Sequence, residues 1–382
     1  MQYELTEDQK LIRDTAREFA EKHVREGVLE RDEKCAFPHH LVDQLAELGF
    51  MGMVYPEEYG GSEVDYVSFS CVIEELARWD ASLAITLASH TSLCTGHIYE
   101  FGSDELKKKY LPDLVSGKVL GGWGLTEPGA GSDASGTKTT AVLEGDEWVL
   151  NGAKTFITQG SVGGTFVVMA STDKSLGSKG ISAFVVEKGT AGFSHGPKME
   201  KLGHRSSDTA ELIFENVRIP KGNLIGNLND GFIQSMKVLE GGRIGIAALA
   251  TGIARGAMED SIQHVKERVQ FGKPLAALQS IQFKIADMAA EIEAARLLTH
   301  RAAFTRDQGL PYNHYSSMAK LYASEVSMRA AHQCVQMLGG SGYMEEYHAQ
   351  RYFRDAKLME IGEGTSEIQR LVISREVFRQ LS

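Results

Sequence analysis

Cysteine is scarce in this chain. Four, Cys35, Cys71, Cys94 and Cys334, are spread over 382 residues, and none forms a C-x-x-C pair. That spacing argues against a zinc site or a disulfide framework and points to a reducing compartment: the cytoplasm, or a mitochondrial matrix if a transit peptide has been removed. Also missing is a run of about 18 apolar residues, the length needed to span a bilayer. The first residues, MQYELTEDQKLIRD, are charged from the first turn and lack the apolar segment of a signal peptide, so no membrane partner is expected. Positive charge is in deficit, with 40 Lys and Arg against 51 Asp and Glu and a net charge of -11. Phosphate backbones attract excess cations, so nucleic acid is not an expected partner. A few local cations can still hold a small anionic ligand. His39, His40, His90, His97 and His264 are scattered, without metal-ligand spacing, so no metal is expected. No internal repeat or low-complexity tract occurs.

What is present is ordinary globular composition, 42% hydrophobic and 24% charged, on a chain too long for one core. The first stretch reads as helical. Thr6 and Gln9 form a capping box, and Leu11, Ile12, Thr15, Ala16, Phe19 and Val24 follow at helical spacing. ASLAITLASHTSLCTGHI is apolar or small on every face, which predicts a helix buried all round or lining a cavity. From Gly121 to about Gly226 the texture changes to short β-like runs (EWVLNG, KTFITQG, TFVVMAST, ISAFVVEKG, AELIFENVRIP) with turn residues about every ten positions. No helical segments separate them, which disfavours a parallel β-α-β sheet. After Gly231 long helical patterns return, over roughly 233–270, 279–307 and 312–338, with a short final helix after EGTSEIQR. The fold class is α+β, with expected domains at 1–120 (helical), 121–228 (β) and 229–382 (helical bundle).

Two short motifs carry chemistry. TEPGAGSDASG holds Gly129, Gly131 and Ala134 in a G-x-G-x-x-A pattern. A dinucleotide fold needs a helix to start at those glycines, whereas strand and turn residues follow here. The glycines then serve either as a tight turn or as backbone that approaches phosphate oxygens, with hydroxyls from Thr126, Ser132 and Thr137. IGEGTSEIQR places Glu363 between two glycines, a poor site for a helix interior and a good one for a carboxylate on an exposed or cavity-facing turn.

LTEDQKLIRDTAREFA, LTEPGAGSD, NGAKTFITQG, RVQFGKPLAALQSIQFKIADM, QMLGGSGYMEEYHAQRYFRDAK and IGEGTSEIQRLVISR together resemble the acyl-CoA dehydrogenases, in the same order and nearly end to end. The short-chain, butyryl-like branch is the most similar. The resemblance implies an N-terminal helical domain, a central β-barrel-like domain, a C-terminal four-helix bundle, FAD and a homotetramer. It implies that Leu125 and Thr126 lie against the pyrimidine side of the flavin and that Phe156 and Thr158 face the ring and N5. Ser132 would serve the CoA or phosphate side. Arg268, Gln270 and Phe271 of a neighbouring subunit would reach the pyrophosphate and adenosine, with Gln336 and Gly340. A guanidinium can pair bidentately with a phosphate, and LGGSG permits close backbone approach. Thr365 and Glu367 would lie near the FAD of their own subunit. Arg243 matches a CoA-binding arginine and Glu240 a carboxylate that meets the pantetheine.

The implied reaction removes an α-proton and a β-hydride from a short or small branched acyl-CoA, giving the trans-2-enoyl-CoA. Glu363 is the implied base, the hydride goes to flavin N5, and electrons leave through an electron-transfer flavoprotein. The thioester α-proton is only weakly acidic, so a placed base and oxyanion donors are required; substrate binding is expected to raise the carboxyl's pKa towards neutrality. Some branches carry the base on the helix containing EGGRIGIA, where this chain has Gly242. The glutamate, rather than aspartate, at 363 favours acyl-CoA over nitroalkanes. Gly362 departs from the aromatic residue of many members and suggests a branched or cyclic acyl group. An acyl-CoA oxidase, disfavoured by chain length, and a non-catalytic scaffold are the alternatives.

Overall fold

The computed structural model describes residues 4–381. Helices α1 (Glu7–Phe19), α2 (Val28–Glu33), α3 (His39–Glu47), α4 (Tyr66–Ala77), α5 (Ala81–Ser89), α6 (Gly96–Phe101) and α7 (Asp104–Val115) form the first unit. The Thr6–Gln9 capping box is present in both directions. Of the predicted periodic residues Ala16, Phe19 and Val24 are buried, while Leu11 is 67% exposed on the opposite face. A π-helical segment, His90–Thr95, joins α5 to α6, and nearly all of this stretch is buried. Its histidines are structural. His90 Nε2 bonds to the Leu114 carbonyl and its Nδ1 accepts from Gly121 N–H; His97 Nδ1 accepts from Trp123 Nε1 and its Nε2 bonds to Gln234. Burial holds both down near a pKa of about 4, so they are neutral near pH 7.

The second unit is an eight-stranded sheet: β1 (Gly121–Gly124), β2 (Thr140–Glu144), β3 (Glu147–Thr158), β4 (Thr165–Ser171), β5 (Ile181–Glu187), β6 (Phe193–His195), β7 (Thr209–Pro220) and β8 (Leu224–Ile225). Its order is β6-β7-β3-β2-β4-β5-β8, with β1 on β4. Most pairs are antiparallel, as hairpin connections permit; β1–β4 and the single β2–β4 pair are parallel. After the Gly129–Gly131 turn comes a short 3-10 turn and then β2, so no helix opens at those glycines.

The third unit holds α8 (Gly231–Glu267), α9 (Gln279–Asp307), α10 (Asn313–Leu338), α11 (His348–Met359) and α12 (Ser366–Leu381). Helix α10 packs against α8, α9, α11 and α12. The first helix stops three residues short of the expected limit, because residues 269–274 turn into a two-stranded hairpin, β9 (Val269–Gln270) with β10 (Lys273–Pro274). The final helix is longer than expected, at 16 residues, and starts inside the EGTSEIQR motif. Helix α11 was not distinguished from the sequence. The large core joins α4 and α5 to the buried faces of α8, α9 and α10, which puts the C-terminal helices directly behind the π-helical segment. Among the described residues no helix is long and apolar enough to cross a membrane, and no group of three or more His, Cys, Asp or Glu side chains is disposed to hold a metal.

Candidate active site

Glu363 lies on the turn between α11 and α12. Its own backbone is left-handed, φ 53°, and so is that of Gly364, φ 96°. A non-glycine residue in that conformation is strained and persists where its surroundings over-determine it. The turn throws the carboxylate towards the middle of α8. There a Cβ on Gly242 would stand 2.2 Å from Glu363 Oε2 and 3.0 Å from Leu93 of the π-helical segment. The residue is half-buried, yet Oε2 is fully buried and has no hydrogen-bond partner. Desolvation raises its pKa to about 7, against the opposing pull of the cations Lys320 and Arg243. The expected desolvation is therefore supplied in large part by the fold, before any substrate arrives. The backbone N–H of Glu363 donates to no acceptor among the described residues.

Arg243, one residue on from Gly242, is buried. Its Nη1 donates to Asn313 Oδ1 at 2.8 Å and Ser317 Oγ at 3.2 Å, while Nε is buried and unpartnered. Half-buried Glu240 lies near it on α8, its pKa raised by burial. Gly362 has ordinary backbone geometry, and a Cβ there would touch only Leu358, no closer than 3.5 Å. The backbone does not demand glycine at that position.

The second wall comes from the sheet. In β3 the register with β7 shifts between Lys154 and Ile157, and within that bulge Phe156 takes φ 58°. Bulges re-aim side chains, and this one turns Phe156 outward to 68% exposure. An aromatic ring held outward at the cost of backbone strain is an available stacking surface. The loop after β1 is strapped to this strand. Thr155 N–H donates to the Thr126 carbonyl at 2.8 Å, and Lys154 Nζ reaches the Leu125 carbonyl at 3.1 Å and Glu127 Oε1 at 2.7 Å. Glu127 also accepts from the N–H groups of Lys138 and Thr139. Leu125 is buried, Thr126 and Thr158 are half-buried, and Ser132 is exposed near Gly131, around which a Cβ would meet nothing within 4 Å. An aromatic face, hydroxyl groups and open glycine backbone fit a flat heteroaromatic ring with a phosphate tail.

The remaining predicted residues stand apart from this wall within one chain. Arg268, Gln270 and Phe271 occupy the hairpin after α8, all exposed, with Phe271 91% exposed and at φ 52°. Gln336 and Gly340 are exposed at the far end of α10. Thr365 Oγ1 accepts from Ile368 N–H and so caps α12, and Glu367 is exposed in the first turn of that helix.

Four residues of the site were not read from the sequence. Glu127 and Lys154 form a buried ion pair that fixes the loop. Lys320 and Gln369, both with no exposed surface, donate to the carbonyls of the Glu363 turn. For Lys320 a signal existed: it falls among Ser316, Ala319, Ala323 and Ser327, a small-residue helix face that packs inward. For the 27-residue Glu127–Lys154 separation no local pattern exists.

The chain matches three family models: acyl-CoA dehydrogenase N-terminal domain over residues 6–118, middle domain over 122–217 and C-terminal domain over 229–378. It is 47% identical over 379 residues to a short-chain-specific acyl-CoA dehydrogenase of Clostridium acetobutylicum, covering 99% of this chain and 100% of that one. Its structure superposes on butyryl-CoA dehydrogenase of Megasphaera elsdenii with a TM-score of 0.97 at 45% identity, covering 99% and 100% of the two chains. A chain from the structure described as the electron transferring flavoprotein of Acidaminococcus fermentans gives a TM-score of 0.98 at 48% identity, with the same coverage.

Proposed function

Because the chain belongs to the acyl-CoA dehydrogenase family, and so to the oxidoreductases that act on acyl-CoA, we propose that it converts a short or small branched acyl-CoA to the trans-2-enoyl-CoA with Glu363 as the α-proton base. The observation that carries this reading is the buried, unpartnered Oε2 of Glu363. A carboxylate whose pKa stands near 7 is matched to proton abstraction at neutral pH, and its strained turn aims it at one place. The unpartnered N–H of Glu363 supports a second role: a donor to the thioester oxygen as negative charge develops there. Arg243 and Lys320 add positive potential on the side of the base.

Phe156, Thr126, Leu125 and Thr158 form the surface that would hold the ring of an FAD, and Arg268, Gln270, Phe271, Gln336 and Gly340 would serve its phosphate and adenosine end. When bound, the cofactor supplies the acceptor for the β-hydride. Those two residue groups do not meet within one chain. The apolar hairpin tip at Phe271, standing in solvent, supports docking on a second copy and a homotetramer. Electrons are proposed to pass to an electron-transfer flavoprotein.

Gly362 refines the substrate. Since the backbone does not require glycine there and a Cβ would meet only Leu358, at 3.5 Å or more, the missing aromatic side chain favours a branched or cyclic acyl group. A panel of butyryl-, 2-methylbutyryl- and cyclic acyl-CoA, followed by loss of the oxidised-flavin absorbance without oxygen, tests both parts. Glu363→Gln is expected to slow that bleaching by about 10²–10⁴-fold; retention of most activity would remove Glu363 as base. Turnover of butyryl-CoA with none of the branched substrates would remove the Gly362 argument. Rapid reoxidation in air would favour an oxidase.

A further inference from the structure

The turn that carries Glu363 is held by two buried donors. Lys320 Nζ donates to the Gly364 carbonyl at 2.7 Å. Gln369, from the first turn of α12, donates through Nε2 to the same oxygen at 2.9 Å and to the Glu363 carbonyl at 3.3 Å. The clamp is tight: a Cβ on Gly364 would come 2.7 Å from that Nε2. These are the contacts that over-determine two consecutive left-handed residues.

Lys320 is an expensive way to make one hydrogen bond. An ammonium removed from water without an ion-pair partner is destabilising, and a well-packed apolar side chain in its place is often no worse. No carboxylate lies within ion-pair distance of Lys320 Nζ among the described residues. The charges that face it are Glu363, Glu360 and Glu367 from the turn and its flanks, and Arg243 from α8. The charges that face Glu363 are Lys320 from α10 and Arg243 from α8. From the π-helical segment, the apolar Leu93 packs at the same point of α8 as the carboxylate. Lys320 thus stands behind the turn, with its charge directed at the carboxylate but not neutralised by it.

We propose that Lys320 is a positioning residue for the base: with Gln369 it fixes the Glu363–Gly364 carbonyls, and alone of the two it presents a cation to the carboxylate. The inference rests on Glu363 being the base. An acyl chain entering the site excludes water, and each step of desolvation favours the neutral carboxyl. Burial lowers the Lys320 pKa to about 8, so below that pH a cation behind the turn opposes the drift without blocking Oε2.

The test compares purified holoprotein carrying Lys320→Met, Lys320→Arg, Gln369→Leu and Glu363→Gln, with kcat and KM for butyryl-CoA measured across about pH 6 to 9. Removing the cation raises the pKa of the base, so the acid limb of the kcat profile of Lys320→Met moves to higher pH. A shift of one unit is about a tenfold loss of kcat below the limb, with KM and flavin content nearly unchanged. Lys320→Arg is expected to return the limb towards its original position while kcat stays low, because charge is restored and geometry is not. Gln369→Leu is expected to lower kcat with the limb unmoved. A limb that stays in place in Lys320→Met overturns the proposal, whether kcat is normal or falls together with flavin content. If Lys320→Met does not accumulate as folded holoprotein, Lys320→Gln is judged by the same limb. Substantial turnover by Glu363→Gln would instead remove the base assignment itself, a separate failure.

Discussion

Substituting Gly242 with alanine separates activity from stability. A Cβ at this position would lie 2.2 Å from Glu363 Oε2, where ordinary contact begins at 3.4 Å, so the carboxylate must retreat by about 1.2 Å. The colliding atoms, Glu363 Oε2 and Cδ and a Leu93 methyl, all belong to side-chain ends rather than backbone. Helix propensity favours the change by about 1 kcal/mol in a helix interior, and repacking around one added methyl costs about 1–3 kcal/mol. The net effect on unfolding is therefore a loss of no more than about 2 kcal/mol. Catalysis has no such tolerance, because a misplacement of about 1 Å costs about 10²-fold in rate. The assay is kcat for butyryl-CoA beside α-proton exchange in deuterated buffer, with thermal unfolding as the control. Both rates are expected to fall by about 10²-fold while the protein stays folded and flavin-loaded. Gly362→Ala is the matched comparison, since its Cβ would find only ordinary contacts. If Gly242→Ala retains near-normal proton exchange, the carboxylate does not work from the position against α8, and that geometry of the site is wrong.

Three further outcomes are expected. The folded-state pKa of Glu363 is raised from 4.5 to about 7, so the folded state holds a proton that the unfolded chain releases between those values. The stability it contributes is present below pH 4.5 and is lost as pH rises to about 7; Glu363→Gln should then be more stable than the parent at pH 8 by about 3 kcal/mol, and equal denaturation midpoints at pH 8 would contradict this. Lys154→Met leaves the buried Glu127 carboxylate without its cation, an effect of about 3–5 kcal/mol, visible as a lower Tm and loss of flavin on gel filtration; an unchanged Tm would show the pair to be dispensable. Phe156→Gly relieves about 1 kcal/mol of left-handed strain, so the apoprotein should hold or gain Tm while flavin retention falls. A lower apoprotein Tm would mark Phe156 as packing instead.

Much of the architecture was legible because its signals are local. The Thr6–Gln9 box, the change of texture at Gly121, the return of helical spacing at Gly231 and the small-and-apolar 81–98 run each report on a few neighbouring residues, and local hydrogen bonding and face burial respond to those same residues. Boundaries were less legible. Helix α8 was expected to run on through charged KERVQ, and only the hairpin that Gly272 permits, with φ 76°, shows why it stops. Motif spacing drew attention to Glu363 and the Thr126 loop, because glycines and a turn are visible without coordinates, whereas Phe156 was marked only by the family resemblance.

By itself, then, the sequence determined the three-part layout and the residue types on which the chemistry depends. The tertiary structure decided what those residues are like. A carboxylate takes its pKa from the medium around it, and that medium is built from α8, α10 and the π-helical segment, far from Glu363 in the chain. Gly242 as the stop against which the Glu363 carboxylate rests, Lys320 and Gln369 as the clamp on its turn, and Lys154 with Glu127 as the brace of the loop all join residues separated by many positions. Such pairs leave no periodicity to read, since burial and Coulomb interaction depend on distance in space and not on distance along the chain.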